Sequence, residues 1–169
     1  LAMTIVELMV ATSSGMMALA GLGALSVYTV RSFAAMANYM ELDKDSRNAL
    51  DRMTQIVREA DGVTSYSEHE VVLSYHGQPL SFKYSPALET LSMIDTNGTE
   101  KVLLRDCEYL KFEAFQRNSV PGSYDQYPAT VDENATKLVQ VSWICSRHLI
   151  GQILNSESVQ SAKIVIRKQ

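Results

Sequence analysis

Apolar positions along this chain follow three successive patterns. Residues 8–30 form an apolar run with no charge between Glu7 at its head and Arg31 at its end. At 1.5 Å per residue, about 23 residues make roughly 34 Å of helix, enough to cross the hydrocarbon core of a bilayer. After Arg31, the positions Phe33, Met36, Met40, Leu50, Met53, Val57 and Ala60 recur mostly at spacings of three and four, which predicts an amphipathic helix. Residues 41–48 between them read as a charged, solvated patch. Gly62 after Asp61 suits a helix C-cap, so one helix is predicted from near Thr4 to Asp61.

From there the period changes to two. Residues 71–75 and 80–84 flank His76-Gly77-Gln78 and predict a hairpin with a Gly-containing turn. Residues 91–94 and 102–104 flank a second turn centred on Asn97-Gly98, a strong hairpin dipeptide. Residues 109–115 alternate. Residues 116–136, with Pro121-Gly122 and Tyr127-Pro128, read as a surface loop. Residues 138–145 and 162–167 predict two last, neighbouring strands. The expected fold class is therefore α+β: a long N-terminal α-helix with an antiparallel sheet of about five to seven strands packed on its C-terminal half. The domain bounds that follow are 1–31 for the apolar helix, 32–62 for its amphipathic half and 63–169 for the antiparallel β domain.

Glu7 is the one anomaly in the first pattern. A carboxylate beside hydrocarbon is costly unless a cation meets it, and a charge there is a functional hypothesis by default. Arg31 lies more than six helical turns away. The nearest cation is an α-amino group, of this chain or of a neighbouring copy, and that points to assembly rather than catalysis.

Composition adds little chemistry. Net charge is −4 without a basic cluster, so nothing indicates a nucleic-acid partner. Cys107 and Cys145 are a candidate disulfide closing a loop of about 38 residues, worth on the order of 3–4 kcal/mol by chain entropy; two reduced, buried thiols are the alternative. Zinc is not expected without closely spaced ligand pairs. Asp43-Lys44-Asp45 lacks the Gly and terminal Glu of a calcium loop and reads as helix surface. His69, His76 and His148 stand apart and read as solvent-exposed, and Trp143 alternates with Val141 and Cys145 as a core residue. Asn97-Gly98-Thr99 and Asn134-Ala135-Thr136 fit the glycosylation sequon, the first more simply as a turn. No nucleophile elbow, phosphate loop or H-E-x-x-H motif occurs, so neither enzyme nor cofactor is expected.

Met3-Thr4-Ile5-Val6-Glu7-Leu8 resembles the prepilin processing motif of type IV pilins and type II secretion pseudopilins. By that resemblance Ala2, in place of the usual Gly, precedes the cut, Met3 becomes the N-methylated terminus and Glu7 is the family's assembly glutamate. A cut before Leu1 would make Glu7 the seventh residue; the cut before Met3 is favoured because it keeps the spacing to Glu. The N-terminus also tells against a secretory peptide, which has a basic n-region, a shorter apolar core and an A-x-A-like site. The resemblance implies a structural subunit of a type IV pilus-like filament. Its partners would be copies of itself, other pilins or pseudopilins, a prepilin peptidase, and the cytoplasmic membrane before assembly into an extracellular filament. The alternatives are a minor pseudopilin at the tip of a periplasmic secretion pseudopilus, and a membrane-anchored extracytoplasmic binding domain. Residues 103–112 and the ending Ile164-Val165-Ile166-Arg167 are loosely similar to J-type minor pseudopilins. Since Gly costs about 1 kcal/mol against Ala in a helix and, by the resemblance, filament pilins unwind a comparable segment, a break or extension is expected between Ser14 and Leu25; the alternative is that these small residues let membrane helices pack closely.

Overall fold

A computed structural model describes residues 4–116, 122, 125, 127–129, 136–147 and 156–167. Ala2, Met3, His148, the second sequon's Asn134 and most of the expected 116–136 loop lie outside these residues. The chain divides into two compact units, Leu1–Asn38 and Tyr39–Gln169. A single α-helix, α1, runs Ile5–Glu59.

In the second unit α1 buries Leu42, Ser46, Ala49, Met53, Ile56 and Val57, a stripe at helical spacing that Ala60 continues. Met53, Val57 and Ala60 were legible as apolar periodicity. Phe33, Met36 and Met40 are instead exposed, and the stripe is carried through the charged patch by Leu42 and Ser46. A charge-rich stretch hid two inward positions because its other residues point to solvent. The C-cap expectation is also corrected: the helix ends at Glu59, and Gly62 opens the first strand. The Asp61 N–H donates to the Ser74 carbonyl at 2.8 Å, so the chain leaves the helix straight into sheet pairing.

Among the described residues the strands are β1 (Gly62–Tyr66), β2 (Glu70–Tyr75), β3 (Gln78–Ser85), β4 (Thr90–Ile94), β5 (Glu100–Leu104), β6 (Cys107–Gln116), β7 (Tyr127–Pro128), β8 (Thr136–Arg147) and β9 (Ser156–Val165). They form two antiparallel sheets rather than one, a five-stranded sheet in the order β1-β2-β3-β4-β5 and a four-stranded sheet in the order β7-β6-β8-β9. Both expected hairpins are present. The β2–β3 turn, His76-Gly77, has φ of 53° and 75° at its two central residues, the left-handed pair that a tight two-residue hairpin demands. Gly77→Ala keeps space for the added methyl but not the backbone preference. It is expected to lower stability by about 1 kcal/mol, read as a lower urea midpoint at unchanged slope.

The division into two sheets falls at Arg105-Asp106, where Asp106 takes φ 56° and redirects the chain so that β6 pairs with β8 instead of β5. Period-two patterning names strands but not their partners, which is why one sheet was expected. Two carbonyls of the first sheet's turns meet the far edge of β6. The Cys107 N–H donates to Glu89 and the Phe112 N–H to Glu68, each at 2.9 Å. Helix and both sheets share one core in which Met53 and Val57 meet Leu73, Phe82, Leu91, Leu110, Phe112, Trp143 and Ile164. Each such side chain contributes about 1.5–3 kcal/mol by leaving water.

Candidate functional site

The first unit starts from a local device. Thr4 precedes α1, and its backbone N–H donates to Glu7 Oε2 at 2.9 Å. Its hydroxyl donates to the same oxygen at 3.1 Å and also accepts from the Glu7 N–H at 3.3 Å. This is a capping box, in which the residue before the helix and the third residue within it satisfy each other's orphan donors. Thr4 was missed as a site residue, although the T-x-x-E spacing was the signal that identifies it. Both bonds end on Oε2, and Oε1 has no protein partner among the described residues.

Behind Glu7 every side chain through Ala34 is exposed. Ile5 is 79% and Met17 80% accessible. Four of the hydroxyls in this stretch are turned back onto the helix. Thr12 donates to the carbonyl of Leu8, Ser13 and Ser14 to that of Val10, and Thr29 to that of Leu25. Such bonds satisfy these polar groups without water, so the surface presented outward up to Val30 is predominantly apolar. α1 is long and apolar enough to cross a membrane, and none of its most apolar window is buried within the chain. The expected break within residues 14–25 is absent. α1 continues through Gly15, Gly21 and Gly23, since nothing presses on the three glycines and their weak propensity is too small to interrupt the hydrogen-bond ladder by itself.

In the second unit Cys107 and Cys145 occupy opposite positions on β6 and β8. Both are free thiols in this structure and both are buried. The strand ends beside them are tied by ions. Arg147 reaches Glu41 of α1 at 2.7 Å and Asp106 at 2.9 Å, and the Asp106 carboxylate, as the first cause, raises the guanidinium pKa further. The Ser146 hydroxyl donates to Glu108. Asp43 pairs with Arg47 one turn along α1 at 2.8 Å, which makes the Asp43-Lys44-Asp45 stretch helix surface, as expected. His69 and His76 are exposed, each ring meeting a tyrosine edge-on, Tyr84 and Tyr75 respectively. Among the described residues no three His, Cys, Asp or Glu side chains group as metal ligands would.

Tyr84 ties the cysteine region to the first sheet, its hydroxyl donating to the Cys107 carbonyl at 2.8 Å. Burial above all, then the neighbouring Cys107 and Glu89, raises its pKa above the ordinary tyrosine value. Its neutral form is thus favoured in the folded chain. That contribution is complete below the unfolded value near pH 10 and is lost as pH rises through the folded value, because the unfolded chain gives up its proton first. Stability is expected to fall between about pH 10 and the folded pKa. Tyr84→Phe should be less stable at pH 8 and flatter above pH 10, as read from urea midpoints across that range.

No family model, no curated protein and no solved structure matches this chain.

Proposed function

We propose that this chain is a structural subunit of a type IV pilus-like filament, held in the cytoplasmic membrane before assembly and polymerised through its N-terminal helix. The observation that supports this reading is a single carboxylate, fastened by Thr4, at the head of an exposed helix that carries no further charge before Arg31. A helix this apolar and this exposed is stable in lipid, or in a bundle of like helices once it leaves lipid. The hydrophobic effect favours the second when the subunit is extruded. Thr4 occupies one oxygen of Glu7, and the other is left for the terminal amine of a neighbouring copy. In the dry core of a bundle, that pair sets register between subunits more than it adds net stability. A prepilin peptidase would cut between Ala2 and Met3 and leave Met3 as the methylated terminus.

Mass spectrometry of sheared filaments tests this by quantifying the chain and reading its N-terminal peptide. A dominant signal beginning with N-methylated Met3 supports a major subunit, and a trace signal beside an abundant pilin supports a minor one. A peptide beginning at Leu1 keeps the filament and moves the cut. A chain confined to the membrane and absent from every filament fraction overturns the reading in favour of an anchored binding domain.

A further inference from the structure

The geometry points to a cross-strand disulfide between Cys107 and Cys145, made while the domain folds and sealed from solvent once β6 and β8 close. Three observations place it. Cys107 and Cys145 are register partners, next to a one-residue irregularity between Cys107 and Tyr109 on β6. The Ser146 N–H donates to the Asp106 carbonyl at 2.8 Å, whereas the Cys107 N–H turns away to Glu89. In an antiparallel ladder this makes the residues beside the Asp106–Ser146 bond a non-hydrogen-bonded pair. Cα atoms in such pairs lie about 4.5 Å apart and side chains lie closest, within the range a disulfide spans. Lastly, Cys107 is 0% and Cys145 1% exposed.

Burial decides when the bond forms. In the folded, reduced chain both cysteines are buried, so no oxidant reaches either sulfur. Oxidation therefore belongs to the open chain. The oxidant is a disulfide-bearing thiol oxidoreductase or a low-molecular-weight disulfide. One cysteine thiolate attacks a donor sulfur, breaking the donor S–S bond and releasing one donor thiolate. The second cysteine then attacks the mixed disulfide, forming Cys107–Cys145 and releasing the other. One S–S bond breaks, one forms, two cysteine thiols are oxidised, and their two protons pass to the donor thiolates. In the cell this rests on the proposed filament reading, which puts the second unit outside the cytoplasm, where such donors persist.

The bond would join β6 to β8 beside Arg147, which grips both Asp106 and Glu41 of α1. It would therefore fasten the strand end that carries the helix contact.

The test is acid-quenched isolation of the full chain from its own cell envelope, alkylation under denaturing conditions and peptide mass spectrometry. The expected result is a Cys107–Cys145 linked peptide; both cysteines alkylated overturns the proposal. Purified full chain in detergent, refolded with oxidised glutathione, should keep the bond in dithiothreitol until urea unfolds it. Its folding equilibrium should exceed that of the reduced chain by about 10²- to 10³-fold. Rapid reduction without urea, or equal equilibria, tells against the sealed staple. The Cys107→Ala/Cys145→Ala chain should show no difference between the two refolding conditions; a persisting difference would also overturn the assignment. Reduced cysteines in a chain recovered from filaments would defeat this inference alone. A linked peptide from a chain found in no filament would defeat the filament reading alone.

Discussion

On the proposed filament reading, a Glu7→Ala chain is expected to enter the membrane as the wild type does and to appear in sheared filaments at least about a hundredfold less. Breaking one partner out of a buried ion pair costs about 3–5 kcal/mol, which is 10² or more in an equilibrium constant. Insertion should survive, because the 55-residue helix and its apolar surface are untouched. Glu7 also closes the capping box with Thr4, so Thr4→Ala is the needed control. Losing a cap costs about 1 kcal/mol, far too little to unravel so long a helix. Thr4→Ala should therefore assemble at near-normal levels while Glu7→Ala and Glu7→Gln do not. The measurement is the ratio of filament to membrane fraction by quantitative immunoblot. Equal defects in Thr4→Ala and Glu7→Ala would assign Glu7 a capping role only. Normal assembly of Glu7→Ala would remove the ion pair from the account altogether.

Trp143→Ala is expected to have the largest effect on the second unit. Trp143 is fully buried in the shared core of helix and sheets. Its indole N–H donates to the Ser46 hydroxyl at 3.3 Å, and Ser158 meets that same hydroxyl, also at 3.3 Å. Truncation to Ala leaves a cavity between α1 and β8 and costs about 3–5 kcal/mol, about a fifth or more of the roughly 5–15 kcal/mol that keeps an ordinary domain folded. Trp143→Phe retains most of the apolar volume and gives up the indole bond, for a smaller loss of about 1–2 kcal/mol. Thermal unfolding followed by far-ultraviolet circular dichroism separates the two, and it is needed because Trp143 is the chain's single tryptophan. Membrane association should be unchanged in both. A Trp143→Ala domain that melts with the wild type would mean that the helix and the four-stranded sheet are not joined through this residue.

Among the described residues, period and punctuation marked the helix and seven of the nine strands; β1 was not read from the sequence, and β7 falls within the stretch expected as a loop. The uncharged run behind Glu7 defined a membrane-length helix, and the shift from a period near 3.6 to one of two marked where helix gives way to strands. His76-Gly77 and Asn97-Gly98 placed two hairpins. These signals are local: each depends on which neighbours lie within a few residues, and a chain carries that information directly. Thr4 was equally local and equally readable. What the tertiary structure decided is partnership between residues far apart in the chain. A period of two could not tell that β6 leaves β5 for β8, because any strand's edge offers the same row of donors and acceptors. It could not show that Leu42 and Ser46 turn inward from a charged stretch, or that Arg147 closes on Glu41 across 106 residues. The cysteine pair stands between the two kinds of knowledge. Two cysteines 38 positions apart are only a candidate bond in a sequence. The β6–β8 register made them neighbours, because packing against α1 selects which strands meet and in what alignment.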